Sequence, residues 1–310
     1  MDMMSEYSDA PVAKLDGVAF YKRRKPVLCG VNLCINRGRV VGVLSGDSNE
    51  KNTLVRQILG LLKPSCGHVE VFGEDPVRDP QGVLARIGWL SEDRNAPGWM
   101  RVNELLRFVK AFYPDWDDVY CEELRQTFGL ALDAKIKKLS PAGKTKAGLL
   151  AALPYRPALL LLEDPFGGLE TAQEEEKIVE LIRTAVGEGH SVLVTSSKSE
   201  EIERVADEVV VLHFGQIVLA GPLEEIKSSH FRVTVLMQED QIRAPELPGA
   251  LHCEGAGRYW TLTTEHPPEI LADLLKSFDA EIVEHSACSL ADIVKAHVGQ
   301  AVHVTPECVA

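Results

Sequence analysis

The chain has 310 residues, a length that suits one large domain with a small companion, or two middling domains. Apolar residues make up 45% and charged residues 25%, the balance of a soluble globular protein with a core of useful size. The formal net charge of -13 repels nucleic acid and anionic lipid, so neither is expected as a nonspecific partner.

Seven cysteines are scattered from Cys29 to Cys308, and none is spaced CxxC. That pattern points to neither a disulfide framework nor a zinc site, and reduced thiols are expected. Residues 1–15 lack the basic-then-apolar order of a signal peptide. No apolar run approaches the ~20 residues of a membrane span. The chain is expected to be cytoplasmic, or to reach a membrane through a partner.

In chain order, 12–20 and 26–35 mix apolar and polar residues at short period and predict antiparallel strands. The continuous apolar run 39–44 predicts a buried parallel strand. Apolar spacing predicts a helix over 53–62, ended by the lysine, proline and glycine of KPSCG. Strands are predicted at 68–73 and 85–90. Helical patterns follow at 102–112, 122–130 and 147–153. Beyond them come a strand at 158–164, a helix at 171–186, a strand at 191–196, a short helix near 199–205, and strands at 208–213 and 216–221. Apolar strands alternating with helices imply a mostly parallel sheet with right-handed crossovers. From about residue 230, strands at 231–237, 250–255 and 259–264, a helix at 268–278, a strand at 280–285 and a helix at 289–298 predict a small α+β unit. His252, His266, His285 and His303 show no metal-like spacing, and nothing in that unit marks a ligand site.

The stretch SGDSNEKNT, 45–53, lies between a buried strand and a helix. A phosphate-binding loop sits at such a junction. Its backbone N–H groups and the helix N-terminus face the phosphates, and a lysine reaches them. Against G-x-x-x-x-G-K-[ST], Lys51 fits, while Ser45 and Glu50 stand at the glycines and Asn52 at the Ser/Thr position. The surrounding VLCGVNLCINRGRVVGVLSGDSNEKNTLVRQILGLLKPSCGHVEVFGED resembles the ATP-binding cassette family of transporter ATPases. LSPAGKTKAGLLAAL stands where that family has its LSGGQ-like signature. LLLLEDPFGGLE stands at its Walker B and D-loop segment. SVLVTSSKSEEIERVADEVVVLHFGQIVLAG stands at its switch-histidine segment and last strands. The resemblance covers about residues 12–225 in order and spacing. It implies an α/β P-loop core of parallel sheet plus antiparallel strands, with a helical insert and a small C-terminal α+β domain.

What the resemblance implies for single residues is mostly departure. Tyr21 stands where an aromatic stacks on adenine. Ser45, Gly46, Asp47, Ser48, Asn49, Glu50, Lys51, Asn52 and Thr53 form the nucleotide-binding loop. There the Glu50 carboxylate is expected beside the phosphate oxygens, where like charges ~4 Å apart repel by about 1–4 kcal/mol between bulk water and an effective dielectric of 20. Asn52, Glu92 and Glu163 stand at the Mg²⁺-contacting positions. Asp164 stands at the catalytic glutamate, one methylene short, and Glu92 and Ser197 at the glutamine and switch histidine. The signature keeps Ser140 and Gly143 but has Ala142 for a glycine. Gly167 and Glu170 replace the D-loop serine and aspartate.

The framework is kept while the reactive positions change. The resemblance therefore implies an ATP-binding subunit of a membrane transporter, an exporter by preference, with a weak or inactive Walker site. ATP and Mg²⁺ are its cofactors if any bind. The alternative is a non-hydrolysing pseudoenzyme cassette acting as structural or regulatory partner of an intact ABC ATPase or of a membrane subunit. Expected partners are a transmembrane permease subunit, met by residues 95–138, and a second cassette in a homo- or heterodimer. Expected boundaries are a nucleotide-binding unit at 12–228 with a helical subdomain at about 95–153, a C-terminal domain at 229–300, and a tail at 301–310.

Overall fold

A computed structural model describes residues 10–94 and 96–301. Its first elements are β1 (Ala13–Lys22), β2 (Lys25–Ile35), β3 (Val40–Leu44), α1 (Ser48–Ile58), β4 (Cys66–Val71), α2 (Pro80–Leu84) and β5 (Ile87–Leu90). Next come α3 (Val102–Lys110), α4 (Asp118–Phe128), α5 (Pro141–Ala152), β6 (Leu159–Glu163), α6 (Ala172–Gly187), β7 (Ser191–Ser196), α7 (Ser199–Glu203), β8 (Glu208–His213) and β9 (Gln216–Pro222). The last are α8 (Leu223–Ser228), β10 (Phe231–Gln241), β11 (Ala250–Thr264), α9 (Pro268–Leu275), β12 (Ala280–Ala287) and α10 (Leu290–Ala301).

The central sheet has the order β5-β6-β7-β3-β8-β9, parallel except for β9, which runs antiparallel to β8. Its inner strands β3, β6 and β7 are buried throughout, on both faces, as their largely apolar sequences require. Side-chain alternation divides each strand between two cores. Val40, Leu44, Leu160 and Leu162 face one core, shared with the helical insert. Val41, Val43, Leu159 and Leu161 face the other, shared with α1 and the three-stranded antiparallel sheet β2-β1-β4. A third core lies under the antiparallel sheet β11-β10-β12, around Val233, Val235, Trp260, Leu262, Leu271 and Leu275. The last helix, α10, packs on β11 of that unit and also places Leu290 and Ile293 in the first core, against α7, β8 and β9.

Several element bounds differ from the sequence reading. Helix α1 starts at Ser48 rather than 53, because Asp47 caps it. Helix α5 starts at Pro141 rather than 147, with Ser140 as its cap. The predicted strands 250–255 and 259–264 are one strand, because Gly255 and Gly257 take positive φ of 154° and 62° and let the chain bend within the sheet. Cys34, Cys66, Cys121, Cys253 and Cys288 are free thiols as expected, whereas Cys29 is disulfide-bonded. The predicted tail lies outside the described residues apart from Ala301.

Candidate functional site

The C-terminal ends of β3, β6 and β7 converge on the loop 45–53, the usual place for a site in an open parallel sheet. Ser45 donates its backbone N–H to the carbonyl of Ser196, 3.3 Å away at the end of β7. The loop then bonds mainly to itself. The Asp47 N–H donates to Ser45 Oγ at 3.0 Å. Asp47 Oδ1 accepts from the Asn49 backbone at 2.8 Å and from its side-chain amide at 2.9 Å. The Glu50 N–H donates to the Asp47 carbonyl at 3.1 Å. A carboxylate of the chain itself thus sits at the N-terminus of α1, where orphan N–H groups and the helix dipole favour negative charge.

Glu50 does not lie where the sequence reading expects it. It is 5% exposed and turned away from the loop mouth. Its Oε2 accepts from Ser45 Oγ at 2.5 Å and its Oε1 from the Gly215 N–H at 2.6 Å. Gly215 lies in the β8–β9 turn at φ 78° and accepts in turn from the Cys29 N–H. A side chain at 215 would come within 2.8 Å of the Val27 carbonyl, so the turn sits hard on β2. Glu50 therefore ties α1 to the far hairpin. Lys51 and Thr53 are also buried, while Gly46, Ser48 and Asn49 are exposed. Asn52 Oδ1 is buried without a hydrogen-bond partner.

The two acids at the end of β6 diverge. Glu163 Oε1 accepts from the Trp89 indole N–H at 2.7 Å and Oε2 from the Glu92 N–H at 3.4 Å. Burial raises its pKa, against the lowering by those two hydrogen bonds. Asp164 turns off the strand at φ 46°. Burial and then the nearby Glu201 raise its pKa, while Arg94 and Lys51 oppose the rise. Glu92 accepts from Ser48 Oγ at 3.1 Å and so joins its turn to the loop. Lys51, Glu92 and Asp164 share one electrostatic neighbourhood. Ser197 is exposed. Its neighbours are clamped instead: Ser196 donates to Glu201 Oε2 at 2.6 Å and Lys198 Nζ to Glu201 Oε1 at 2.8 Å.

Arg94 is absent from the sequence reading and organises the centre. Its guanidinium donates to the carbonyls of Ser91, Glu92, Glu163 and Asp164, and through Nε to Thr145 Oγ1 at 3.0 Å. Burial is the main cause lowering its pKa. Thr145, fully buried on α5, donates to the Gly167 carbonyl at 3.2 Å. Ser140 caps α5 by accepting from the Gly143 N–H at 3.1 Å, with Ala142 buried beside it. Gly168, at φ 80°, approaches Pro141 so closely that an added Cβ would stand 2.5 Å from the proline Cβ. The signature turn and the D-loop segment are thereby one packed unit. Among the described residues no hydrogen bond joins Ser140 to the loop 45–53. Tyr21 is half-buried at the far end of β1, its N–H donating to Ser65 Oγ at 3.2 Å.

Comparison with known proteins agrees with this arrangement. The family profile described as ABC transporter matches residues 28–167. The daunorubicin resistance ATP-binding protein DrrA3 of Streptomyces coeruleorubidus is 30% identical over 233 residues, 73% of this chain and 73% of that protein. The bacitracin transport ATP-binding protein BcrA of Bacillus licheniformis is 27% identical, covering 69% and 71%. The ABC transporter ATP-binding protein YtrB of Bacillus subtilis is 22% identical over 88% of this chain and 93% of its own. Among solved structures, the dimeric bacterial ABC transporter cassette MJ0796 superposes with a TM-score of 0.61 at 20% identity. That match covers 68% of this chain and 98% of that one, a likeness of fold.

Proposed function

The chain belongs to the ABC transporter family as an ATP-binding subunit, and we propose that it serves an export system with a nucleotide loop closed by its own side chains. Support for export comes from the names of the two antibiotic-related relatives. The observation that carries the closed loop is Asp47. Its carboxylate holds the N-terminus of α1, and Ser45 engages a further loop N–H.

Family members bind ATP with Mg²⁺ in general, and in this conformation the loop does not fit a triphosphate. An anion already stands at the helix end, and a second one would meet it as a like charge. Of the expected cation contacts, Glu163 has both oxygens engaged, Glu92 holds Ser48 through Oε1, and Asn52 Oδ1 is buried without a partner. Productive chemistry is therefore assigned to a dimer with an intact cassette, this chain contributing Ser140 and Gly143 to the partner's nucleotide. A non-hydrolysing cassette is the limiting form of the same reading.

The cassette unit is taken as 12–228, with its helical part at about 95–153, and the attached unit as 229–300. Docking to a permease subunit is assigned to the helical insert. Support comes from a groove of about 330 Å³ lined by Leu61, Trp89, Val109, Tyr113 and Tyr155, sized for an apolar helix end. Trp99, Phe108 and Phe112 are exposed on the same insert. Among the described residues no helix is long and apolar enough to cross a membrane; a cytoplasmic position at the membrane through that partner is part of the same proposal. Steady-state ATPase measurement tests the reading. The purified chain alone is expected at least about 100-fold below the ordinary range of roughly 1–10³ s⁻¹, and turnover within that range overturns it.

A further inference from the structure

We propose that His230, Glu265 and His297 form a binding site for one divalent transition-metal ion of the Zn²⁺ class, at the junction of the last helix with the rest of the chain. Their ligand atoms all lie within 4.8 Å of one another. The two imidazole Nε2 atoms are 3.0 Å apart. Glu265 Oε1 is 3.5 Å from one and 3.9 Å from the other. A metal with bonds of about 2.0–2.1 Å in tetrahedral geometry holds its donors roughly 3.3 Å apart. The three atoms therefore already stand at near-ligand spacing.

The orientation of His230 agrees. Its ring is 3% exposed, and Nδ1 lies 2.7 Å from the Ile226 carbonyl. Nδ1–H donates to that carbonyl, so Nε2 presents its lone pair to the cluster. A backbone carbonyl behind one ring nitrogen is a common way to fix a ligating histidine. Two imidazoles and one carboxylate suit Zn²⁺, Co²⁺ or Ni²⁺ better than Mg²⁺ or Ca²⁺. A fourth position is left for water.

The ligands come from three separate segments. His230 follows α8, Glu265 lies between β11 and α9, and His297 is on α10. Helix α10 also packs on α7, whose first turn carries the Glu201 clamp beside Ser197. A bound ion would staple the C-terminal sheet to the helix that braces the switch segment. Sequence reading missed the site because it weighed the other histidines of this region, and the ligands are 32 or more residues apart.

The test is a Zn²⁺ titration of the full chain against a chromophoric chelator. One equivalent is expected to bind with sub-micromolar affinity. His297→Ala should weaken binding at least about 100-fold, and Glu265→Gln, at an exposed position that leaves the fold intact, about tenfold. His252→Ala should change nothing. Co²⁺ in place of Zn²⁺ should show no thiolate charge-transfer band. Stoichiometric binding unaffected by His297→Ala and Glu265→Gln, a thiolate band, or no binding at micromolar Zn²⁺ would overturn the proposal and leave a plain histidine–histidine hydrogen bond.

Discussion

Glu50 shows how far a side chain's role departs from its place in a motif. Its carboxylate supports the hairpin that ends the central sheet rather than facing the loop mouth. Glu50→Gly would strand the Gly215 N–H, at about 1–3 kcal/mol, and put glycine in a helix, at about 1 kcal/mol. Glu50→Gln keeps an acceptor for Gly215 and is expected to cost no more than about 1 kcal/mol. Denaturant titration of the two variants checks the difference. A glycine at 50 is thus a stability change before it is a repaired nucleotide loop. Asp164 gives a pH prediction. Its folded pKa is raised above the ordinary value of 3.8, chiefly by burial. A raised pKa stabilises the fold while the acid is protonated, and that contribution is lost as pH rises through the folded value. Asp164→Asn should therefore raise the melting temperature near neutral pH, and the gain should fade as pH falls through the raised folded value and be gone below 3.8. Thermal melts across that range decide it, and a gain that persists in acid would contradict the argument.

Helix α5 and the segment after β6 behave as one element. Ser140 caps the helix, Pro141 starts it, Thr145 bonds across to Gly167, and Gly168 lies against Pro141. Arg94 joins this unit to the turn after β5. Gly168→Ala forces a left-handed alanine, at about 1–2 kcal/mol, before any clash with Pro141 is counted. A melting temperature lower by several degrees is expected, together with weaker pairing to a partner cassette, which would meet a displaced Ser140. Unchanged stability would mean that the two segments are not packed as described. The helix starts were legible only in part. Periodicity marks apolar faces, so it finds α1 and α5 once their cores begin. Their polar first turns, capped by Asp47 and Ser140, carry no periodic signal.

At the scale of the whole molecule, the central sheet was the most legible feature. VVGVL, LLLLE and SVLVTS are buried throughout and mostly apolar because both of their faces are covered. Lys51, Glu92 and Asp164, which the family resemblance marked, share one electrostatic neighbourhood. What could not be read was which partner each side chain takes. Arg94 to Thr145, Glu50 to Gly215 and His230 to His297 join residues that only the fold brings together. The central claim concerns one such choice, the Asp47 carboxylate at the N-terminus of α1. Equilibrium binding of Mg-ATP to the unmodified chain and to Asp47→Gly tests it most directly, since glycine at an N-cap costs only a few tenths of a kcal/mol. No saturation below about millimolar is expected for the unmodified chain, and at least about tenfold tighter binding, ~1.4 kcal/mol, for Asp47→Gly. Micromolar binding by the unmodified chain, no tighter in Asp47→Gly, would contradict the closed loop.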